Sequence, residues 1–376
     1  MAARYRVGVI GHTGRGDYGH GIDVVWQSIP EAEIVAVADP DETGRAAALE
    51  RCAAPAAFAD YRKMLDEAKP DVVSICPRWL DQHRDMVVAA AERGIHIYME
   101  KPFCRTLAEA DQMIAACEKN KVKLAIAFQT RYSPKLHVIQ DLIYDGKIGQ
   151  VLELRGRGKE DSRGGGEDLW VLGSHIMNLI TYFAGEPLWC FASVLEKGKP
   201  IAKENVVEGK EGIGLLAGDN VQAMYGLFDG SNAYFGSRRN AAGGRFGLRI
   251  LGSKGAIDLV TGYLPAAHFL DDPTWSPGRS GKGWVPISSA GIGEKEPITE
   301  GSNAVGNVVA CRDLLAAIEE DRQPEANMYE ARTSVGMIAA VFASQCAGGP
   351  VKFPLKERGN PLSQVQSEEC RVRSAE

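Results

Sequence analysis

The sequence predicts an α/β fold followed by an α+β fold: an N-terminal doubly wound parallel sheet, then a domain with a large, mostly antiparallel open sheet. Three observations predict it. Short Val- and Ile-rich runs alternate with helical patterns through the first third of the chain, as right-handed βαβ units require. Near Arg131 the rhythm changes, and strand-like runs begin to follow one another directly. The chain has 376 residues, more than one ordinary core encloses, so two domains are expected, at 1–128 and 129–376.

Residues 6–10 read as the first strand and 22–28 as part of a helix. Residues 33–38 (EIVAVA) form the second strand, with an Ala-rich helix around 45–52. Residues 71–76 (DVVSIC) are the third strand and 83–93 are helical. Residues 95–99 (IHIYM) are the fourth strand, 107–119 a helix and 122–128 the fifth strand. Beyond them come a helix near 134–144, a strand at 151–157 and a helix carrying GSHIMNLITYFAG. Strands follow at 221–228, 231–237, 246–251 and 256–259. Residues 271–303, rich in Pro, Gly and Ser, read as a long surface loop, and helices near 305–320 and 329–345 close the domain.

Composition narrows the function. Hydrophobic residues at 45% and charged residues at 24% are a globular balance. A formal net charge of −6 argues against a nucleic-acid partner. No signal core or bilayer-length apolar run is seen, so no membrane partner is expected. The eight cysteines are scattered singly, at 52, 76, 104, 117, 190, 311, 346 and 370, without metal-like spacing. Reduced thiols in a cytoplasmic protein without a metal site are the expectation.

Gly11-His12-Thr13-Gly14-Arg15-Gly16 follows the first strand and precedes the expected helix. Glycines there let the chain turn tightly and bring main-chain N–H groups at a helix N-terminus to a pyrophosphate. Thr13 stands where the strict GxGxxG pattern has its middle glycine, and the stretch 17–21 (DYGHG) lengthens the loop. Asp39 ends the second strand, where a carboxylate accepts ribose hydroxyls and repels a 2′-phosphate, which favours NAD over NADP. An ordinary Asp-Pro turn at Asp39-Pro40 is the plainer alternative.

From His83 onward the chain reads HRDMVVAAAERGIHIYMEKPFCRTLAEADQMI. With FQTRYSP, DGKIGQV, LGSH, LRILGSKGAIDL and CRDLLAAIEEDRQP, this closely resembles the glucose-fructose oxidoreductase, inositol dehydrogenase and MocA (Gfo/Idh/MocA) family of Rossmann-fold oxidoreductases. The resemblance spans nearly the whole chain except the loop near 271–303. It implies NAD as cofactor, a sugar or polyol as substrate, and a homodimer or homotetramer. In Glu100-Lys101-Pro102, closing the fourth strand, it implies that Lys101 reaches the reacting hydroxyl and that the peptide before proline is commonly cis. It matches His175 to the family's helix histidine, which exchanges the hydroxyl proton. Chemistry supports both roles, since an ammonium polarises a carbonyl and an imidazole titrates near neutrality. A surface lysine before a turn and a structural histidine are the plainer alternatives.

The chain departs from the family at two positions. Val171 stands where relatives place an aspartate before that histidine, and Asn178 where they often carry another. Asp168 either replaces the missing carboxylate, two turns earlier if the helix extends so far, or caps that helix. Lys159, Glu160 and Arg163, in the charged segment before it, are candidate hydroxyl-binding groups, with Asn178 beside them. A solvated loop explains the same charges. Pro77, Arg78, His83 and Glu100 are assigned to the cofactor. Trp79 and Tyr132 either stack on a sugar or pack internally. Beside the dehydrogenase reading stand an eliminating or glycoside-cleaving enzyme with retained NAD, and a non-catalytic NAD-binding sensor.

Overall fold

A computed structural model describes residues 5–241 and 244–366; Cys370 lies outside the described residues. The chain divides into two compact units. One holds residues up to 132 with 211–213 and 302–332, the other 133–210, 214–301 and the chain from 333 onward.

The first unit is built on six parallel strands: β1 Tyr5–Ile10, β2 Ala32–Ala38, β3 Ala57–Phe58, β4 Val72–Ile75, β5 His96–Met99 and β6 Leu124–Ile126. Their order is β3-β2-β1-β4-β5-β6. The order reverses between β1 and β4, which opens a crevice at the carboxyl ends where ligands bind in such sheets. Helices α1 Glu42–Arg51, α2 Tyr61–Ala68, α3 His83–Ala91 and α4 Leu107–Lys119 supply crossovers. Asp41 caps α1 by accepting from the Gly44 N–H, and Thr106 caps α4 by accepting from Glu109.

The first crossover differs from expectation. In place of the helix expected at 22–28 stands a single 3-10 turn, Val25–Ser28, preceded by a chain of turns. The glycines of GDYGHG favour turns over helix here. The segment is pinned from within instead: the buried Trp26 indole donates to Ser74 Oγ at 2.7 Å, and that hydroxyl donates to the Ile22 carbonyl at 2.9 Å.

The late helix Asn303–Glu319, which the sequence reading placed in the second domain, belongs to this unit. Its buried Asn307 explains why. Asn307 Oδ1 accepts from Tyr98 Oη at 2.9 Å and from Gln129 Nε2 at 3.3 Å, a polar match that an unpaired buried amide would otherwise lack.

The second unit carries α5 Pro134–Tyr144, β7 Val151–Arg157, α6 Gly166–Val171, α7 Gly173–Ala184 and β8 Pro187–Glu196. Its large sheet has eleven strands among the described residues. β7 runs parallel to Asn232–Arg238 and antiparallel to Gly247–Gly252. The remaining pairings within it are antiparallel. The segment 271–303 is not wholly loop: Val285–Ser288 and Gly291–Ile292 extend the sheet at one end. No helix among the described residues is long and apolar enough to cross a membrane.

Candidate active site

In the first unit the chain after β1 folds into a closed loop. His12 and Asp17 exchange two backbone hydrogen bonds, and the Gly14 N–H donates to Asp17 Oδ1 at 2.9 Å. The Thr13 N–H donates to the Asp39 carboxylate at 3.0 Å, and Thr13 Oγ1 donates to it at 2.8 Å. The Asp41 N–H adds a third donor at 2.9 Å. Asp39 is fully buried by these contacts. The carboxylate expected to meet a ribose therefore holds the loop, and Thr13, at the position of the middle glycine, supplies two of its three donors.

On its other side the loop is tied to the segment after β4. His12 Nδ1 lies 2.8 Å from Gln82 Oε1, Arg15 pairs with Asp81, and Arg78 donates its N–H to the Gly16 carbonyl. The Arg78 guanidinium stands 3.9 Å from Asp17. The expected main-chain cradle at a helix N-terminus is absent here. The helix is missing, and the N–H groups of His12, Thr13, Gly14, Arg15 and Asp17 are bonded within the loop or to Asp39. The positive charge beside the loop comes from the half-exposed side chains of Arg15 and Arg78. A cavity of about 230 Å³ opens between the ends of β1 and β2, lined in part by Gly11, His12, Asp39, Tyr61 and Gln82.

The extension 17–21 turns down onto the sheet edge. Gly19 has φ +63°, and a β-carbon there would stand 2.5 Å from Glu100 Oε1 and 2.7 Å from the Cys76 carbonyl, so only glycine fits. His20 then meets Glu100 twice: its N–H donates to Oε1 at 2.8 Å, and Nδ1 lies 2.8 Å from the same oxygen. Glu100 Oε2 accepts from the Lys101 N–H at 3.1 Å. Burial alone would raise the Glu100 carboxyl; the His20 hydrogen bond and the nearby Lys101 charge outweigh it and hold the group below its ordinary range. Lys101 is buried at the carboxyl end of β5, and the Lys101–Pro102 peptide is cis.

His83, assigned to the cofactor from sequence, takes another part. It is fully buried, with Nε2 2.7 Å from the Pro77 carbonyl and Nδ1 3.0 and 3.1 Å from those of Pro102 and Phe103. It clamps the β4 exit to the turn that carries Lys101. Tyr132 is also buried, its hydroxyl accepting from the Ala326 N–H, so it packs internally. Trp79 lies under Arg15, 5.1 Å from its guanidinium.

In the second unit the expected helix through 168 and 175 is two helices, broken at Leu172. The helix-cap reading of Asp168 does not hold. The N-cap residues are Gly165 and Leu172, without side-chain caps. The fully buried Asp168 carboxylate accepts instead from the N–H groups of Lys159 and Glu160 (3.3 and 3.1 Å) and from Ser237 Oγ at 2.5 Å. It anchors the charged loop to the sheet, and burial raises its pKa despite those donors.

Glu160 is likewise no open hydroxyl-binding group. It is 1% exposed, pairs with Arg157, accepts from Arg245 at 2.8 Å and takes the Arg238 N–H at 3.0 Å. Its lone pairs are committed. Arg163 makes a two-pronged pair with Asp161, whose carboxyl the Arg163 hydrogen bond holds at about 2. Lys159 remains an exposed cation, 3.6 Å from Asp161. His175 lies in the first turn of α7, edge-on to Phe246 at 6.0 Å between ring centres, with the buried Asn178 one turn on. His20 is the residue that sequence reasoning missed; the extra length of the loop at 17–21 was its one visible sign.

Residues 5–128 match the Gfo/Idh/MocA family model, an oxidoreductase family with an NAD-binding Rossmann fold. Levoglucosan dehydrogenase of Pseudarthrobacter phenanthrenivorans is 27% identical over 334 residues, covering 78% of this chain and 82% of that one. Myo-inositol 2-dehydrogenase of Thermotoga maritima is 26% identical, over 67% of this chain and 74% of its own. A solved levoglucosan dehydrogenase in complex with NADH and levoglucosan superposes with a TM-score of 0.76 at 21% identity, covering 94% of this chain and all of that one. At that identity the likeness establishes the fold.

Proposed function

We propose that this chain, whose residues 5–128 match the Gfo/Idh/MocA oxidoreductase family model, is an NAD-dependent dehydrogenase acting on a hydroxyl-bearing carbon of a sugar, sugar derivative or inositol. The observation that carries the reading is the joint presence, in one unit, of a cavity floored by Asp39 and a buried Lys101 at the adjoining sheet edge. A non-catalytic nucleotide sensor needs the first and not the second.

The residues fit the cofactor. The cavity beside Asp39 takes the adenosine half, and the buried anion disfavours a 2′-phosphate. Arg15 and Arg78 supply positive charge for the pyrophosphate in place of main-chain donors. When bound, NAD supplies a nicotinamide that accepts or returns a hydride. Lys101 polarises the reacting oxygen and stabilises charge that develops on it. Glu100 balances the lysine charge, and the His83 clamp fixes the turn that aims it. His175 is assigned exchange of the hydroxyl proton, and Lys159, Arg163 and Asn178 recognition of the substrate hydroxyls.

We place the protein in the cytoplasm as a homodimer or homotetramer. None of the seven described cysteines is in a disulfide among the described residues, which fits a reducing compartment. Leu152 on β7 and Leu188 and Phe191 on β8 are exposed apolar side chains suited to burial against a second copy. The test of function is a panel of aldoses, sugar acids, anhydrosugars and inositols incubated with NAD, read as NADH absorbance. NADH formation with at least one member supports the proposal; none across the panel, with NAD binding intact, favours the sensor.

A further inference from the structure

We propose that Asp81 and Trp79 are positioning residues that hold the Arg15 side chain rigid as the anchor for the cofactor's pyrophosphate. The inference rests on the NAD-binding part of the proposed function and adds two residues to it.

Arg15 is gripped on two sides. Its Nε donates to Asp81 Oδ2 at 3.1 Å and its Nη2 donates to the same oxygen. The Trp79 ring lies 5.1 Å from the guanidinium carbon, within the reach of a cation–π contact. Among the described residues Nη1 has no partner, and 43% of the side chain is exposed. One edge of the planar group is therefore fixed while the other stays open, the arrangement in which an arginine takes a phosphate oxygen.

Asp81 has no other ionic partner among the described residues. Its Oδ2 takes Arg15, and its Oδ1 is buried without a hydrogen-bond partner there. Gly212 closes over that oxygen. Residues 211–213 belong to the same unit, Gly212 has φ +66°, and a β-carbon on it would stand 2.7 Å from Oδ1. Were Arg15 to turn away, this carboxylate would be stranded as an enclosed, unpaired charge, which is costly. Arg15 thus stays on Asp81 when a ligand arrives, and the ligand's anion comes to Arg15. The main-chain N–H groups of His12, Thr13, Gly14, Arg15 and Asp17 are bonded to Asp39 or within the loop, so a phosphate here depends on a side chain. Of the two arginines beside the loop, Arg15 is the one held close: Arg78 stands 3.9 Å from Asp17. An arginine ordered in advance avoids the entropy that a free one loses on binding, worth up to about tenfold in affinity.

Two plainer roles for Asp81 predict different results. As a competitor for Arg15 it would weaken phosphate binding; as a staple of the loop it would support every adenosine ligand equally. Titration of the full chain with NADH, read by fluorescence, with ADP-ribose and adenosine as competitors, separates them. Asp81→Asn keeps the shape and removes the ionic hold. It should raise the Kd for NADH and ADP-ribose about tenfold and change that for adenosine less than about twofold. Combined with Arg15→Ala it should bind NADH no more weakly than Arg15→Ala alone, because Asp81 acts through that arginine. Trp79→Leu should cost about threefold, the scale of one exposed cation–π contact. Tighter or unchanged NADH binding in Asp81→Asn overturns the proposal. Equal losses for adenosine and ADP-ribose also overturn it, as do additive losses in the double variant, and an unchanged Kd in Trp79→Leu removes that residue from the assignment. None of these readouts needs a substrate. A wild type that binds NADH and oxidises no sugar counts against the dehydrogenase reading alone, whereas one that binds no NADH overturns both.

Discussion

Asp39→Asn probes the link between the cofactor loop and the end of β2. The wild-type carboxylate accepts from Thr13 N–H, Thr13 Oγ1 and Asp41 N–H, all within a fully buried site. Asparagine has the same shape but one acceptor oxygen, so at least one of these donors then faces an N–H group. Hydrogen bonds to a charged partner contribute about 1.5–3 kcal/mol each, and losing one or two comes to about 3 kcal/mol. Where NAD requires the closed loop, up to that amount is subtracted from binding, which is a rise in Kd of tenfold to about 100-fold. NADP weakens less, because removing the anion also removes its repulsion of the 2′-phosphate. Calorimetric titration of both proteins with both nucleotides reads the outcome. Wild type should prefer NAD by about tenfold or more, with the gap narrowing in the variant. Asp39→Asn binding NAD within twofold of wild type, or a wild type that takes NADP equally well, refutes the reasoning.

Other variants test the remaining assignments. Lys101→Ala should keep NAD affinity and lower turnover about 100-fold or more; steady-state kinetics showing near-normal kcat would make Lys101 structural. Asp168→Asn should not be silent, as a helix cap would allow, because the N–H groups of Lys159 and Glu160 and the Ser237 hydroxyl all donate to it. A cost of about 1–3 kcal/mol is expected, and an unchanged melting temperature contradicts it. Glu100 is held below its ordinary range in the folded protein, so its contribution to stability is present above the ordinary glutamate range and fades as pH falls through the lowered value. Glu100→Gln should therefore flatten the acid limb of a melting-temperature profile, and identical acid limbs speak against the assignment.

How much was legible depended on the range of the interactions. Most of the parallel sheet was readable because its central strands are local apolar runs buried on both faces, with EKP directly after β5. The two-residue, partly exposed β3 (Ala57–Phe58) carries no such run and was missed. The missing first helix was not, because amphipathic spacing at 22–28 persisted although the glycines before it favour turns. The strand Val285–Ser288 hid in a Pro- and Gly-rich stretch, where Pro286 sits near the sheet edge and proline is tolerated there. The site was legible where motif and contact coincide, as at Lys101. It was misread where partners are far apart in sequence. Glu160 looked like a solvated charge because its partner Arg245 lies 85 residues on, and the His20–Glu100 contact spans 80 residues that no local pattern reports.

The central claim, net hydride transfer from a sugar or polyol carbon, is tested most directly by isotope tracing. A panel substrate deuterated at its reacting carbon is incubated with the wild-type protein and NAD, and both nucleotide and product are analysed by mass spectrometry. The account predicts one deuterium in the NADH released, with NADH and oxidised product formed in equal amounts and both suppressed in Lys101→Ala. Deuterium returned to an eliminated or cleaved product, with no net NADH, would contradict it and identify an enzyme that retains its cofactor.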